Sequence, residues 1–428
     1  MSYATFLDRK ATREWQHGES VEPEAIHPML FDWQREIVAW ACQKGRAAIF
    51  ADCGLGKTFM QLEWARLSGD ALIVAPLSVA RQTVREAERI GIDLRYVRAE
   101  DQVSGPGPHI TNYEMLARFD PAHFRSVVLD ESSILKNVDG KTRRLLTEHL
   151  RGVPFRLACT ATPAPNDVAE LTNHAEFLGV MSRPEMLAAY FVHDMQQDGW
   201  RLKGHATDPM YRWMTTWAVA MRRPSDLGYS DDRFTLPPLE IVSEIVEVEL
   251  VPDGQLFATD LGGIGGRAAV RRATLGARVD RAVKIASEPG QCIAWCALND
   301  EADGIAQRLG DDAVNVVGAW EPERKAEALE AFQDGEVRVL VTKPSIAGFG
   351  MNFQNAARMV FCGLGDSYES YYQAIRRCWR FGQTEPVTAH VVVSELEQQI
   401  VENVRRKESI AAAWIDGLVR VMASERAA

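Results

Sequence analysis

Short apolar runs recur along the chain with helical stretches between them. Runs at 47–50, 71–75, 126–129 and 155–158 form one group, and runs at 291–295, 337–341 and 359–362 form a second. Four or five apolar residues in a row, repeatedly followed by a longer amphipathic stretch, predict strand, helix, strand in repetition. That is the pattern of an α/β protein with mainly parallel sheets. About 130 residues without this rhythm separate the groups, too many for one loop. Two α/β lobes are therefore expected, with a helical insertion between them. The segment 181–238 carries Trp200, Trp213 and Trp217 in helix-like surroundings and ends in Leu236-Pro237-Pro238. A proline pair stops a helix and stiffens a connector, which places the boundary nearby. The expected organisation is an N-terminal extension over 1–29, a first lobe over 30–180, the insertion and linker over 181–240, and a second lobe over 241–428.

Composition narrows the class. The chain has 428 residues, 46% hydrophobic and 25% charged, which excludes collagen-like, disordered and disulfide-scaffold proteins. Its length suits two or three domains, each able to bury a core, and excludes a single small binding module. Seven scattered cysteines, several inside apolar runs, point to a reducing compartment and buried thiols. Cys292 and Cys296 are the closest pair, but no second Cys or His pair lies near enough to complete a zinc site. The first ten residues lack an apolar core and no run of about 18 apolar residues occurs, so a cytoplasmic protein without a membrane span is expected. The net charge of -11 argues against a nonspecific polycation and leaves a local basic groove open. Gly262-Gly263-Ile264-Gly265-Gly266 reads as a flexible loop, because no strand leads into it. The following stretch, with Arg267, Arg271, Arg272, Arg278, Arg281 and Lys284, reads as a solvated helix face or as a nucleic-acid or interdomain surface.

The candidate chemistry begins after the first apolar run. Ala51-Asp52-Cys53-Gly54-Leu55-Gly56-Lys57-Thr58 joins that run to a helical stretch at 59–66. Backbone N–H groups in such a loop, around Gly54 and Gly56, cradle phosphates with the helix N-terminus. Lys57 is placed to reach the β- and γ-phosphates, and Thr58 to ligate magnesium. Ala51 stands where the strict pattern has glycine. A second apolar run at 126–129 leads straight into Asp130-Glu131, two adjacent carboxylates at the C-terminal edge of a strand, where α/β sites lie. In that position Asp130 holds magnesium and its waters, and Glu131 accepts the proton of an attacking water.

The ordered set resembles a known family. Gly54-Leu55-Gly56-Lys57-Thr58, the strand ending in Asp130-Glu131, Thr160-Ala161-Thr162-Pro163 and the run from Gln373 through Arg376-Arg377-Cys378-Trp379-Arg380-Phe381-Gly382 to Gln383 occur in the order of superfamily 2 helicases, the DEAD/DEAH-box-related group. The last element resembles the Swi/Snf-type branch most closely. Asp32-Trp33-Gln34, Ile110-Thr111-Asn112-Tyr113-Glu114, Leu135-Lys136-Asn137 and the stretch 342–352 follow in place, as do Met221-Arg222-Arg223 and the Leu-Pro pair before the second lobe. The resemblance spans residues 30 to 410, and its specificity lies in the order of the pieces.

The resemblance implies two RecA-like P-loop NTPase lobes, ATP with magnesium in the cleft between them, and DNA bound across both. It places Gln34 on adenine, adds Gly350 and Gln373 to the ATP-binding residues, and makes Arg377 and Arg380 the arginine fingers. Arginines at i and i+3 share one helix face, and Gly382 ends that helix. Thr160 and Thr162 either couple the nucleotide state to the lobe interface or cap a turn before Pro163. Asn112, Tyr113, Ser345 and Asn352 are candidate nucleic-acid contacts, or loop-stabilising polar residues. Two departures stand out. Ser132 and Ser133 replace the Ala or Gly and the His usual after the acidic pair, and Arg376 replaces a common Asp. The implied activity is a DNA-stimulated ATPase that tracks along duplex DNA and remodels DNA or DNA–protein complexes. A strand-separating DNA or RNA helicase remains an alternative. So does the motor subunit of a restriction or methylation assembly, with a nuclease, a methylase or a replication or recombination system as partner. The small size resembles bacterial or phage members of the branch.

Overall fold

Both groups of apolar runs form parallel sheets. The computed structural model describes residues 18–136, 140–194, 199–247, 271–347 and 352–427. Asn137, Arg267, Gly350 and the glycine loop 262–266 lie outside the described residues. The chain divides into two units, Met1–Phe234 with Lys407–Ala428, and Thr235–Arg406.

In unit 1 the strands are β1 (Arg46–Ala51), β2 (Ala71–Ala75), β3 (Arg95–Tyr96), β4 (His109–Asn112), β5 (Ser126–Asp130), β6 (Phe155–Cys159), β7 (Phe191–Asp194), β8 (Gly199–Leu202) and β9 (Ala218–Met221). Among the described residues, seven of them form one sheet in the order β3-β4-β2-β5-β6-β1-β9. Every pairing in it is parallel. β2 and β5 are buried along their whole length, which is why they read as continuous apolar runs and not as alternating ones. β7 and β8 form a separate antiparallel hairpin.

The stretch expected as a helical insertion and linker, 181–240, contains helices at Arg183–Tyr190 and Thr207–Thr215, and also the hairpin and β9. Ala-Val-Ala-Met is short and apolar, and it completes the sheet beside β1 with Ala48 opposite Ala218 and Ala51 opposite Met221. Trp213 and Trp217 are core residues, their rings 5.3 Å apart, while Trp200 lies in β8.

The helix Gln398–Ala427 carries the chain back to unit 1 from Lys407 onward, although 241–428 reads in sequence as one lobe. Trp414, Leu418, Val421 and Met422 are buried and fall on one helical face. Trp414 packs edge-on against Phe50 of β1, centroids 6.2 Å apart, and Phe50 also meets Trp217. Arg222, at the end of β9, fixes the helix by donating to the Ala412 carbonyl at 2.7 Å and pairing with Asp416 at 2.9 Å.

Unit 2 contains β10 (Leu239–Val246), β11 (Cys292–Cys296), β12 (Ala313–Asn315), β13 (Val339–Thr342), β14 (Arg358–Cys362) and β15 (Val387–Ser394). They form a parallel sheet in the order β10-β15-β14-β11-β13-β12. The basic stretch expected on a solvated face is largely structural. Arg278 is fully buried and paired with Glu301 and, at 3.5 Å, Glu397, while Arg281 pairs with Glu244 at 2.6 Å. The two carboxylates offset the cost of burying the Arg278 guanidinium.

Replacing Trp414 by Ala is predicted to destabilise unit 1 by about 3–5 kcal/mol, the usual cost of emptying a buried aromatic site. Urea unfolding of the full chain measures this. A change below about 0.5 kcal/mol would show that the returning helix does not contribute to the unit 1 core.

Candidate nucleotide-binding site

Three neighbouring strands end at one edge of the unit 1 sheet. The register sets Ile49 of β1 opposite Cys159 of β6, and Cys159 opposite Asp130 of β5. At about 4.8 Å per strand, the loop after β1 and the acidic pair after β5 are therefore roughly 10 Å apart, with the Thr160 turn between them.

The loop after β1 is shaped by glycine. Gly54 and Gly56 have φ values of 87° and 69°, and Gly56 caps the helix Lys57–Ser68. The φ of Gly56 favours glycine, and a Cβ there, 2.4 Å from Nε2 of Gln34, would also have to displace the Gln34 amide. The first N–H groups of that helix have no carbonyl within the helix to bond, and they face the loop that precedes them. The Lys57 ammonium lies over the loop, donating to the carbonyls of Ala51 at 2.8 Å and Asp52 at 3.1 Å.

Gln34 is nearly buried beside this loop. Its Nε2 donates to the Leu55 carbonyl at 3.0 Å and its Oε1 accepts from the Phe31 N–H at 2.9 Å. The residue expected on adenine thus fastens the phosphate loop to the helix Asp32–Lys44.

Asp130 is buried, and its carboxyl is held well above the usual carboxylate range, first by burial and then by the neighbouring Glu131 charge. Lys57 pulls the other way, as does Gln61 from the helix Lys57–Ser68. The Gln61 amide is fully buried, and among the described residues its polar atoms have no hydrogen-bond partner of good geometry. Glu131 adopts φ 55°, an uncommon conformation for a side-chain-bearing residue that costs on the order of 1–3 kcal/mol. Its carboxylate accepts from the Thr160 hydroxyl at 3.3 Å, and the Thr160 hydroxyl in turn accepts from the Thr162 N–H at 3.1 Å. Thr160 and Thr162 are therefore wired to the acid pair.

Asn112 and Tyr113, expected at a nucleic-acid face, have buried side chains in this structure. Tyr113 donates to the Asp130 carbonyl at 2.6 Å, bracing the acidic strand from behind. Asn112 donates to Glu114 at 2.5 Å and accepts from Tyr96 at 3.2 Å. Ser132, where the family usually has Ala or Gly, shares a 3.1 Å hydrogen bond with His174 of the helix Leu171–Leu178. Burial pulls the His174 imidazole down to about 4, so it is neutral near pH 7.

In unit 2 the helix Tyr368–Cys378 carries Gln373 and Arg377, both nearly buried, and the Gln373 amide has no hydrogen-bond partner. Because the helix ends at Cys378, Arg380 does not share its face with Arg377 as the spacing suggested. Two side chains draw the chain out of the helix there. Trp379 donates to the Pro237 carbonyl at 2.7 Å, and Arg380 donates to the Asn352 side chain. Asn352, expected on nucleic acid, thus holds an arginine. Ser345 is exposed and lines a cavity of about 270 Å³ with Lys343, Asp366 and Ser370 at the C-terminal edge of the unit 2 sheet. Gln61 and His174 carry no motif and only their burial singles them out, whereas Lys343 lies in the 342–352 stretch, where the sequence does not pick it out.

The donor set fits a nucleoside triphosphate with magnesium. Thr58 and Asp130 supply one hydroxyl and one carboxylate, and the orphaned Gln61 amide is available to metal-bound waters, as magnesium, which keeps several waters, requires.

A family model described as helicase conserved C-terminal domain matches residues 277–382. The SWI/SNF-related matrix-associated actin-dependent regulator of chromatin subfamily A-like protein 1 of Drosophila melanogaster is 22% identical over 414 residues, covering 88% of this chain and 54% of that protein. The chromodomain-helicase-DNA-binding protein 1-like of Danio rerio is 32% identical over 183 residues, 36% of this chain and 17% of its own length. The chain thus spans about half the length of the first relative and less of the second. Among solved structures, the Sulfolobus solfataricus SWI2/SNF2 ATPase core in complex with dsDNA is similar at 21% identity and TM-score 0.45, over 92% of this chain and 94% of that one.

A raised Asp130 pKa means that the folded state holds a proton that the unfolded chain has already released. Stability of the metal-free protein is therefore lost as pH rises from the ordinary aspartate range through the raised value. Asp130→Asn is predicted to stabilise the metal-free protein at pH 8 by on the order of 1–3 kcal/mol and to have little effect near pH 4. Thermal melts in chelator at both values check this. Equal stability at pH 8 would contradict the electrostatic account.

Proposed function

The chain is a Swi/Snf-like member of helicase superfamily 2, and on that premise we propose that it is a nucleic-acid-dependent ATPase that translocates along duplex DNA. The observation that carries this reading is the meeting, at one sheet edge, of the Gly54–Gly56 loop with Lys57, the buried Asp130 with Glu131 beside it, and the Thr160 hydroxyl.

In this reading the loop N–H groups and Lys57 bind the triphosphate, with Lys57 exchanging the Ala51 and Asp52 carbonyls for phosphate oxygens. Gln34 keeps the loop in register beside the base. Asp130 and Thr58 hold magnesium, which neutralises phosphate charge when bound. Glu131, oriented by Thr160, takes the proton from the attacking water. Arg377 and Arg380 of unit 2 stabilise the charge that develops on the transferred phosphate, and Asn352 presents the second of them. Lys343 and Ser345, at the exposed edge of unit 2, contact DNA phosphates, which position a motor without reading sequence. The remodelling of DNA or DNA–protein complexes follows from that movement.

Steady-state ATP hydrolysis without nucleic acid and with duplex DNA, single-stranded DNA or RNA tests the proposal. Duplex DNA is expected to stimulate most, by tenfold or more. Glu131→Gln and Arg380→Ala are each expected to lower kcat by about 10³ or more, the size of an arginine-finger or general-base effect in such sites. Preferential stimulation by RNA or single strands would favour a strand-separating helicase. An unchanged rate with every nucleic acid would overturn the motor reading.

A further inference from the structure

At the opposite end of β1 and β6 from the nucleotide loop lies a second concentration of positive charge. Arg46 opens β1 and Arg156 is the second residue of β6, whereas Asp52 and Thr160 follow the other ends of the same strands. Six residues of strand put the two ends on the order of 15–20 Å apart. Arg46, Arg143, Arg144, Arg151 and Arg156 line a cavity of about 480 Å³ there, with Glu148 and Glu176 as its only acidic lining residues among those described.

Among the described residues, two carboxylates answer the four guanidinium groups of Arg143, Arg144, Arg151 and Arg156. Glu176 is engaged by Arg143 at 2.6 Å, and Glu148 stands 4.0 Å from Arg144 with both side chains largely exposed. Arg156 is only 3% exposed, and its partners are backbone carbonyls: Val153 at 3.0 Å, Phe177 at 2.6 Å and Arg151. These take three of its five N–H donors, and no carboxylate lies within ion-pair distance among the described residues. Burial, then Arg46 and Arg151, pull its pKa down to about 10. Gly179, with φ 71°, lets the guanidinium groups gather: a Cβ there would lie 2.9 Å from Nη1 of Arg46 and 3.3 Å from Nη1 of Arg156. The Thr147 hydroxyl and Nε of Arg143 are buried in the same lining without hydrogen-bond partners.

We infer that this cavity is a second anion site, distinct from the nucleotide loop, which binds a compact ligand carrying two or more phosphates. These four guanidinium groups against two carboxylates leave a surplus that one carboxylate ligand would not balance, and planar guanidinium groups match phosphate oxygens in pairs. The recessed floor at Arg156 favours a small ligand over the convex backbone of a duplex. The inference does not rest on the ATPase reading.

Calorimetric titration of the full chain with inorganic pyrophosphate tests it, using wild type, Lys57→Ala, and Lys57→Ala combined with Arg144→Ala and Arg151→Ala. The last two positions are exposed, so the variant should keep its fold, which a melting curve verifies. Pyrophosphate binding is expected to persist in Lys57→Ala and to weaken tenfold or more when both arginines are also removed. Loss of all binding in Lys57→Ala, or no effect of the arginine changes, would overturn the second site. A competition arm with short duplex DNA identifies the source of the phosphates. Duplex that displaces pyrophosphate from Lys57→Ala would assign the cavity to a DNA backbone and overturn the small-ligand assignment.

Discussion

A buried carboxylate, Asp130, with the half-buried Glu131 carboxylate beside it at the end of β5, constrains everything around it. Asp130 and Glu131 repel each other, and the Gln61 amide, Lys57 and the Glu131 N–H, which donates to Asp130 at 3.1 Å, partly offset the charge on Asp130. Such a site is costly to the apo protein and is relieved by a divalent cation. The surrounding structure holds it open: Tyr113 braces the strand through the Asp130 carbonyl, Thr160 fixes Glu131, and Glu131 itself sits in a strained backbone conformation. Tyr113, expected at a nucleic-acid face, is hydrogen-bonded to this strand.

The parallel sheet makes that arrangement possible. Because β6 lies between β1 and β5, its Thr160 turn touches the acid pair while its other end begins among the arginines around Arg156. One strand therefore runs from the candidate nucleotide site to the arginine-lined cavity. The helix from Lys407 onward backs β1 through Trp414 and Phe50, so the strand that carries the phosphate loop is packed by residues far away in sequence.

Much of this was legible in the sequence because it is local. Buried parallel strands are short unbroken apolar runs, and the phosphate loop is a contiguous pattern in which Gly56 has a steric reason to be glycine. What could not be read depends on long-range packing. β9 has only four residues and becomes a strand by pairing with β1, and nothing near Trp414 shows that it belongs to the first unit. Gln61, His174 and Arg156 acquire their character from burial, to which their neighbours in sequence give no clue. Arg377 and Arg380 have helical spacing, yet side-chain bonds of Trp379 and Arg380 end the helix between them.

A structure of the full chain bound to magnesium and a nonhydrolysable ATP analogue tests the central claim most directly. The account predicts that Nζ of Lys57 leaves the carbonyls of Ala51 and Asp52 for the β- and γ-phosphates, with the metal held by Thr58 and Asp130. An analogue bound away from this loop, with Lys57 still donating to those two carbonyls, would contradict it.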